Sequence, residues 1–201
     1  MLPVYKCTIS NSNDSPLQVQ AIALVDEPAI EKNFLAFKAQ QPLHFAVNTA
    51  RQIISGPAML ANTPIYRKDA DYGEYLVVFD KQTIETIVEK FFSKGLMASL
   101  NIMHNSSSPL QGACIFESFI TDAQRGIQPM KGFEDVPEGS WFISVKINSA
   151  DVWAKIKAGQ VKGFSVEGLF KLMPLKLQTQ ALTPEKTMQQ IIAVLMEGEE
   201  E

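Results

Sequence analysis

Residues 161–170 read VKGFSVEGLF, an apolar run carrying one serine and one glutamate two positions apart, with a glycine on each side of the pair. At the two-residue period of a strand, Phe164, Val166 and Phe170 share one face while Ser165 and Glu167 share the other. A solvent-facing edge strand accounts for that pattern. Gly163 and Gly168 add something, because glycine weakens a strand unless a substrate chain or a neighbouring strand must approach the backbone closely. The segment is therefore both a strand and a candidate holder of chemistry.

Outward from it, extended chain is expected over LQVQAIALV (17–25), NFLAFK (33–38), HFAVNTARQIISGPAML (44–60), EYLVVF (74–79), MASLNIMH (97–104), GACIFESFI (112–120) and 141–147. Gly56 and Pro57 mark a kink or bulge in the third of these, and ANTPIYRKDADYG (61–73) reads as a polar loop. MASLNIMH and GACIFESFI, joined by the polar turn NSSSPLQ, look like neighbours. Asp80 ahead of Ile84, Ile87, Val88, Phe91 and Phe92, with Gly95 behind, predicts a capped helix. SADVWAKIKAG predicts a second, capped by Ser149 and stopped at Gly159. Thr121–Ser140 is rich in glycine and proline without apolar period, a long surface loop of the kind that often carries function.

About seven strands with helices between them favour a β-rich α+β domain over residues 1–173, a closed or nearly closed β-barrel with helices outside. Residues 174–201 read as a linker plus an amphipathic helix, opened by Thr183 and Pro184, with Met188, Ile191, Ile192 and Leu195 on one face and an acidic EGEEE end. That stripe suits docking on a partner such as scaffold, or a segment removed by processing.

Net charge is −4 across 201 residues with no block of Lys or Arg, so nucleic acid is not an expected partner. No run approaches a membrane span, and no membrane partner is expected. Cys7 and Cys114 stand far apart without metal-ligand spacing, which fits a reducing compartment. Two distant histidines and no glycine-rich phosphate loop leave no expected metal or cofactor.

The search for a general base comes down to His44 and His104. His44 opens a strand after Pro42, where a histidine needs no role. His104 closes MASLNIMH, on the face of Leu100 and Ile102 by strand period, beside a polar turn. A histidine there suits a proton acceptor, or simply bonds a loop carbonyl. Ser165 is the better candidate nucleophile than Ser106, Ser107 or Ser108, since a flexible turn holds an attacking oxygen poorly. Two acids qualify to orient the imidazole. Glu117 lies on the apolar face of Ala113, Ile115 and Phe119, costly unless paired; Glu167 points the same way as Ser165.

ALVDEPAI, SGPAMLANTPIYR, the strand ending in His104, Glu117–Ser118, PEGSWFISVKI, DVWAKIKAG and KGFSVEGLF, in that order, resemble the tailed-phage prohead protease family in its defective-prophage branch. The resemblance covers roughly 21–172. That family is similar to the herpesvirus maturation protease, which implies a β-barrel, Ser165 as nucleophile and His104 as general base. It further implies a capsid-maturation endopeptidase in the host cytoplasm, acting inside the prohead on scaffold, capsid-protein extensions and itself, with a homodimer by analogy. His44 precedes His104 and does not match the herpesvirus third residue, so a carboxylate, Glu117 or Glu167, takes that place. The Ser-Ser-Arg-Gly run of some phage relatives is absent, which leaves the oxyanion-hole donors open. A catalytically silent assembly component with the same barrel is the competing reading.

Overall fold

The computed structural model describes residues 2–10, 12, 15–26, 44–105, 107, 109–175 and 184–197. Among them are eleven strands: β1 (Val4–Thr8), β2 (Val19–Val25), β3 (Ala46–Asn48), β4 (Ile53–Met59), β5 (Ile65–Asp69), β6 (Gly73–Val78), β7 (Leu100–Ile102), β8 (Ala113–Ile120), β9 (Trp141–Ile147), β10 (Gly163–Gly168) and β11 (Lys171–Pro174). Helices α1 (Lys81–Ser93), α2 (Ala150–Lys157) and α3 (Pro184–Glu197) accompany them. The strand expected over NFLAFK lies outside the described residues.

The strands form three sheets, ordered β11-β1-β6-β5, β10-β2-β7 and β3-β4-β9-β8, and none closes on itself. The expected barrel of about seven strands is thus replaced by three small open sheets. Two causes are visible. First, β1–β6 and β2–β7 pair in parallel, which strand alternation does not reveal and which needs a crossover rather than a hairpin. Second, single apolar runs break and change sheet. Residues 163–174 divide into β10 and β11, in different sheets, after a register shift at Glu167/Gly168. Gly168 makes that shift feasible, because a Cβ there would sit 2.6 Å from the Gln18 carbonyl oxygen. Its close backbone neighbour is therefore a strand. Residues 44–60, expected as one extended run, instead fold back within one sheet as the β3–β4 hairpin, with a bulge between Pro57 and Met59. β7 and β8, expected as neighbours, belong to different sheets.

The sheets share one core, in which Ile22, Leu24, Ile54, Leu100, Ile143 and Phe164 are nearly inaccessible. Helix α1 buries Ile84, Ile87 and Phe91 there, and Asp80 accepts a 2.8 Å bond from the Thr83 amide as its N-cap. The Phe91 ring meets Trp141 edge-on at 5.4 Å. Helix α2 is capped by Ser149 and buries Val152, Trp153 and Ile156. The apolar stripe of α3 is occupied by the protein's own first sheet: Ile191 and Leu195 bury against Val4, Leu76 and Val78. Burial of this kind stabilises by about 1.5–3 kcal/mol per side chain. The 121–140 loop is clamped at its base by Thr121 and Ser140, whose backbone groups bond each other at 3.0 Å. Its Phe133 and Val136 pack on Leu60 and Phe142. The inner face of the first sheet, β10 and β4 converge on one cavity.

Candidate active site

That cavity, of about 610 Å³, is lined by β10 from Phe164 to Gly168 and by Leu169 and Phe170. Ala58 and Met59 of β4, Ile65 and Arg67 of β5, Tyr75 and Val77 of β6, and His104 complete most of its wall. Ser165 and His104 thus face one space, although they lie 61 positions apart in sequence.

Strand order explains how the polar groups meet. Ser165 pairs with Ala23 of β2, and Ala23 pairs with Asn101 of β7, so the three form one row across the sheet. Glu167, two residues on, stands on the same face. Ala21 and Ala23 between the outer strands are small, which leaves the space in which Asn101 Nδ2 donates to Glu167 Oε1 at 2.8 Å. His104 reaches the same oxygen through Nδ1, also at 2.8 Å.

The imidazole does not arrive there by strand alternation. β7 ends at Ile102, and Met103 and His104 both adopt left-handed backbone, with φ of 53° and 58°. Two such residues turn the chain, so His104 leaves the expected face of Leu100 and Ile102 and meets Glu167 instead. An ionised carboxylate can only accept, so the contact holds the proton on Nδ1 and leaves Nε2 with its lone pair. Ser165 is 6% exposed, and among the described residues its hydroxyl makes no hydrogen bond. Asn101 Oδ1 is likewise buried without a partner.

Glu117 goes elsewhere. A register shift between Ile115 and Glu117 inserts Phe116 as an extra residue in β8, and Glu117 turns to solvent opposite Ser144, away from the cavity. It is not on the apolar face expected from alternation. His44 is exposed ahead of β3, Ser107 is exposed in its turn, and Ser106 and Ser108 lie outside the described residues.

Asn101 and Arg67 are polar groups of the site that the sequence reading passed over. Asn101 carried a signal, being an amide inside the apolar run SLNIM. Arg67 sits in IYRKD, taken for loop, where Ile65 and Arg67 alternate toward the cavity as an edge strand allows. Burial pushes the Cys7 thiol of the cavity up to about 12, with the Arg67 charge acting the other way. Burial, and then the bond to Asp69, push the Tyr75 phenol up to about 12. Among the described residues no group of His, Cys, Asp and Glu is arranged to hold a metal ion.

The fold and site together define a β-rich protein with a buried serine and a histidine–carboxylate pair facing one cavity. Residues 52–173, more than half of the chain and including Arg67, His104, Ser165 and Glu167, match the family model described as "Putative phage serine protease XkdF"; the chain belongs to that phage serine protease family. No curated protein and no solved structure matches it.

Proposed function

We propose that this protein is a prohead-maturation serine endopeptidase that cuts scaffold and capsid-protein segments, and itself, inside the immature phage capsid. The observation that carries this reading is the His104–Glu167 bond at a cavity that also holds Ser165. In the proposed reaction Ser165 Oγ attacks the peptide carbonyl carbon while His104 Nε2 takes the hydroxyl proton. Glu167 holds the imidazole in that tautomer and stabilises its cationic form. His104 then gives the proton to the leaving amine, and the acyl-serine remains. Water, deprotonated by the same nitrogen, releases the acid and restores the hydroxyl. Among the described residues β10 pairs along one edge, with β2, so amides on its other edge are available to donate to the developing oxyanion. Among the described residues Ser165 and His104 share the cavity without a hydrogen bond between them, which fits a site that tightens when substrate enters.

Co-expression with the scaffold and major capsid proteins, as wild type and as Ser165→Ala, followed by intact-mass analysis, tests the reading. Fragments that need Ser165 are expected. Identical uncut masses, with the protein still joining the particle, would instead make it a silent assembly component.

A further inference from the structure

Among the described residues Arg67 is a cation without an anion. Arg67 lines the cavity, and among the described residues the only hydrogen bond of its guanidinium is to the neighbouring Tyr66 carbonyl, at 3.3 Å. The acid nearest along its own strand face, Asp69, is already engaged: it accepts from the Tyr75 hydroxyl at 2.5 Å and from the amides of Asp71 and Tyr72. Glu167 is the sole carboxylate among the described lining residues, and His104 and Asn101 share its Oε1. Burial pushes the ionisable groups beside Arg67, Cys7 and Tyr75, up to about 12. Burial holds the guanidinium below its ordinary value, but arginine still keeps its proton. A partly desolvated charge left unpaired is costly, and a planar guanidinium matches a carboxylate fork. The cavity of about 610 Å³ has the size of a ligand pocket.

We propose that Arg67 reads an acidic side chain of the bound peptide, making the protease selective for Glu or Asp at one fixed position near the bond it cuts; this rests on the endopeptidase reading above. The carboxylate completes the ion pair that the fold leaves open, and Glu→Gln in the substrate removes it.

Two measurements on the full chain test this. In the first, a degenerate hexapeptide library is digested and the cut sites sequenced by mass spectrometry. Wild type is expected to prefer Glu or Asp over Gln or Asn at one position by about tenfold or more, and Arg67→Gln to lose that preference. Cutting without acidic preference overturns the inference and leaves the endopeptidase standing. In the second, Ser165→Ala binds labelled hexapeptides carrying Glu or Gln, each ending in a free carboxylate or an amide. Tighter binding of the Glu peptides regardless of the terminus, lost with Arg67→Gln, supports a side-chain subsite even if nothing is cut, in which case only the endopeptidase reading falls. Discrimination by the terminus alone, or none, overturns the inference. Arg67→Met adds a readout independent of peptide: its melting temperature should equal or exceed that of wild type, because an unpaired cation is replaced by an apolar stem. A fall of several degrees would make Arg67 a structural residue and sink the proposal.

Discussion

The β3-β4-β9-β8 sheet and the cavity beside β10 both bury polar groups, yet they treat them in opposite ways. In the sheet every such group near the centre finds a partner. Ser55 and Ser144 share a hydroxyl bond of 2.7 Å across β4 and β9, and Ser140 accepts from the Ala61 amide while donating to the Pro137 carbonyl. Around the cavity, and among the described residues, Asn101 Oδ1 is buried without a partner, the Ser165 hydroxyl makes no hydrogen bond, and the Arg67 guanidinium bonds only the Tyr66 carbonyl. Folding alone favours the first arrangement, since an unpaired buried donor or acceptor costs about 1–3 kcal/mol. The second is what a site needs when its partner is a substrate. Equally buried serines can therefore be told apart by what their oxygens touch.

Serine-to-alanine substitutions in the two regions test this most severely. Ser165→Ala is expected to lower turnover by roughly 10⁴-fold or more with the melting temperature nearly unchanged, since its hydroxyl leaves no partner stranded. Ser144→Ala should do the reverse: a loss of about 1–3 kcal/mol in denaturant unfolding, from the stranded Ser55 hydroxyl, with turnover per folded molecule unchanged. Equal stability losses in the two variants would erase the distinction.

The two glutamates sharpen it on a smaller scale. Glu167→Gln keeps the shape beside His104 but replaces the acceptor of Nδ1–H with an amide that can present a donor, favouring the wrong tautomer; a drop of about 10²–10⁴-fold in kcat is expected. Glu117→Gln, on the solvent side of β8, should stay within about twofold. Comparable losses would mean that the His104–Glu167 contact is structural and that β8 reaches the site in the working enzyme.

How much of this was legible in sequence follows from what alternation encodes. Helix α1 could be read because Asp80 and the Ile84–Ile87–Phe91 spacing are local signals. The Ser165–Glu167 pair could be read because β10 is a regular strand over those residues. His104 was legible as a strand-end histidine, but not its direction, because the left-handed turn at Met103 and His104 carries no glycine to announce it. Glu117 was assigned the wrong face for a similar reason: a one-residue bulge inverts every position beyond it, and Phe116 gives no sign of being the extra residue. Sheet closure was misjudged because alternation says which way a side chain points and nothing about which strand lies alongside. Arg67 was lost to polarity, since an edge strand reading IYRKD resembles a loop until its neighbour, β6, is known.

The cysteines give the gentlest test, because the expected change is none. Cys7 lines the unsatisfied cavity, whereas Cys114 is exposed on β8 of the satisfied sheet. If incomplete pairing alone made a region reactive, Cys7 would be the thiol to label. Alkylation requires the thiolate, and burial pushes Cys7 up to about 12 from 9.0, so at neutral pH the cavity offers iodoacetamide a protonated sulfur. One adduct per native chain, at Cys114, is therefore expected by intact mass, and a second only after unfolding. Arg67→Gln should leave that count unchanged, since Arg67 acts to lower the thiol and its removal makes the thiolate scarcer still. Rapid native labelling of Cys7 would show the cavity to be wetter than its lining implies, and the unpaired groups around it to be solvated rather than waiting for a peptide.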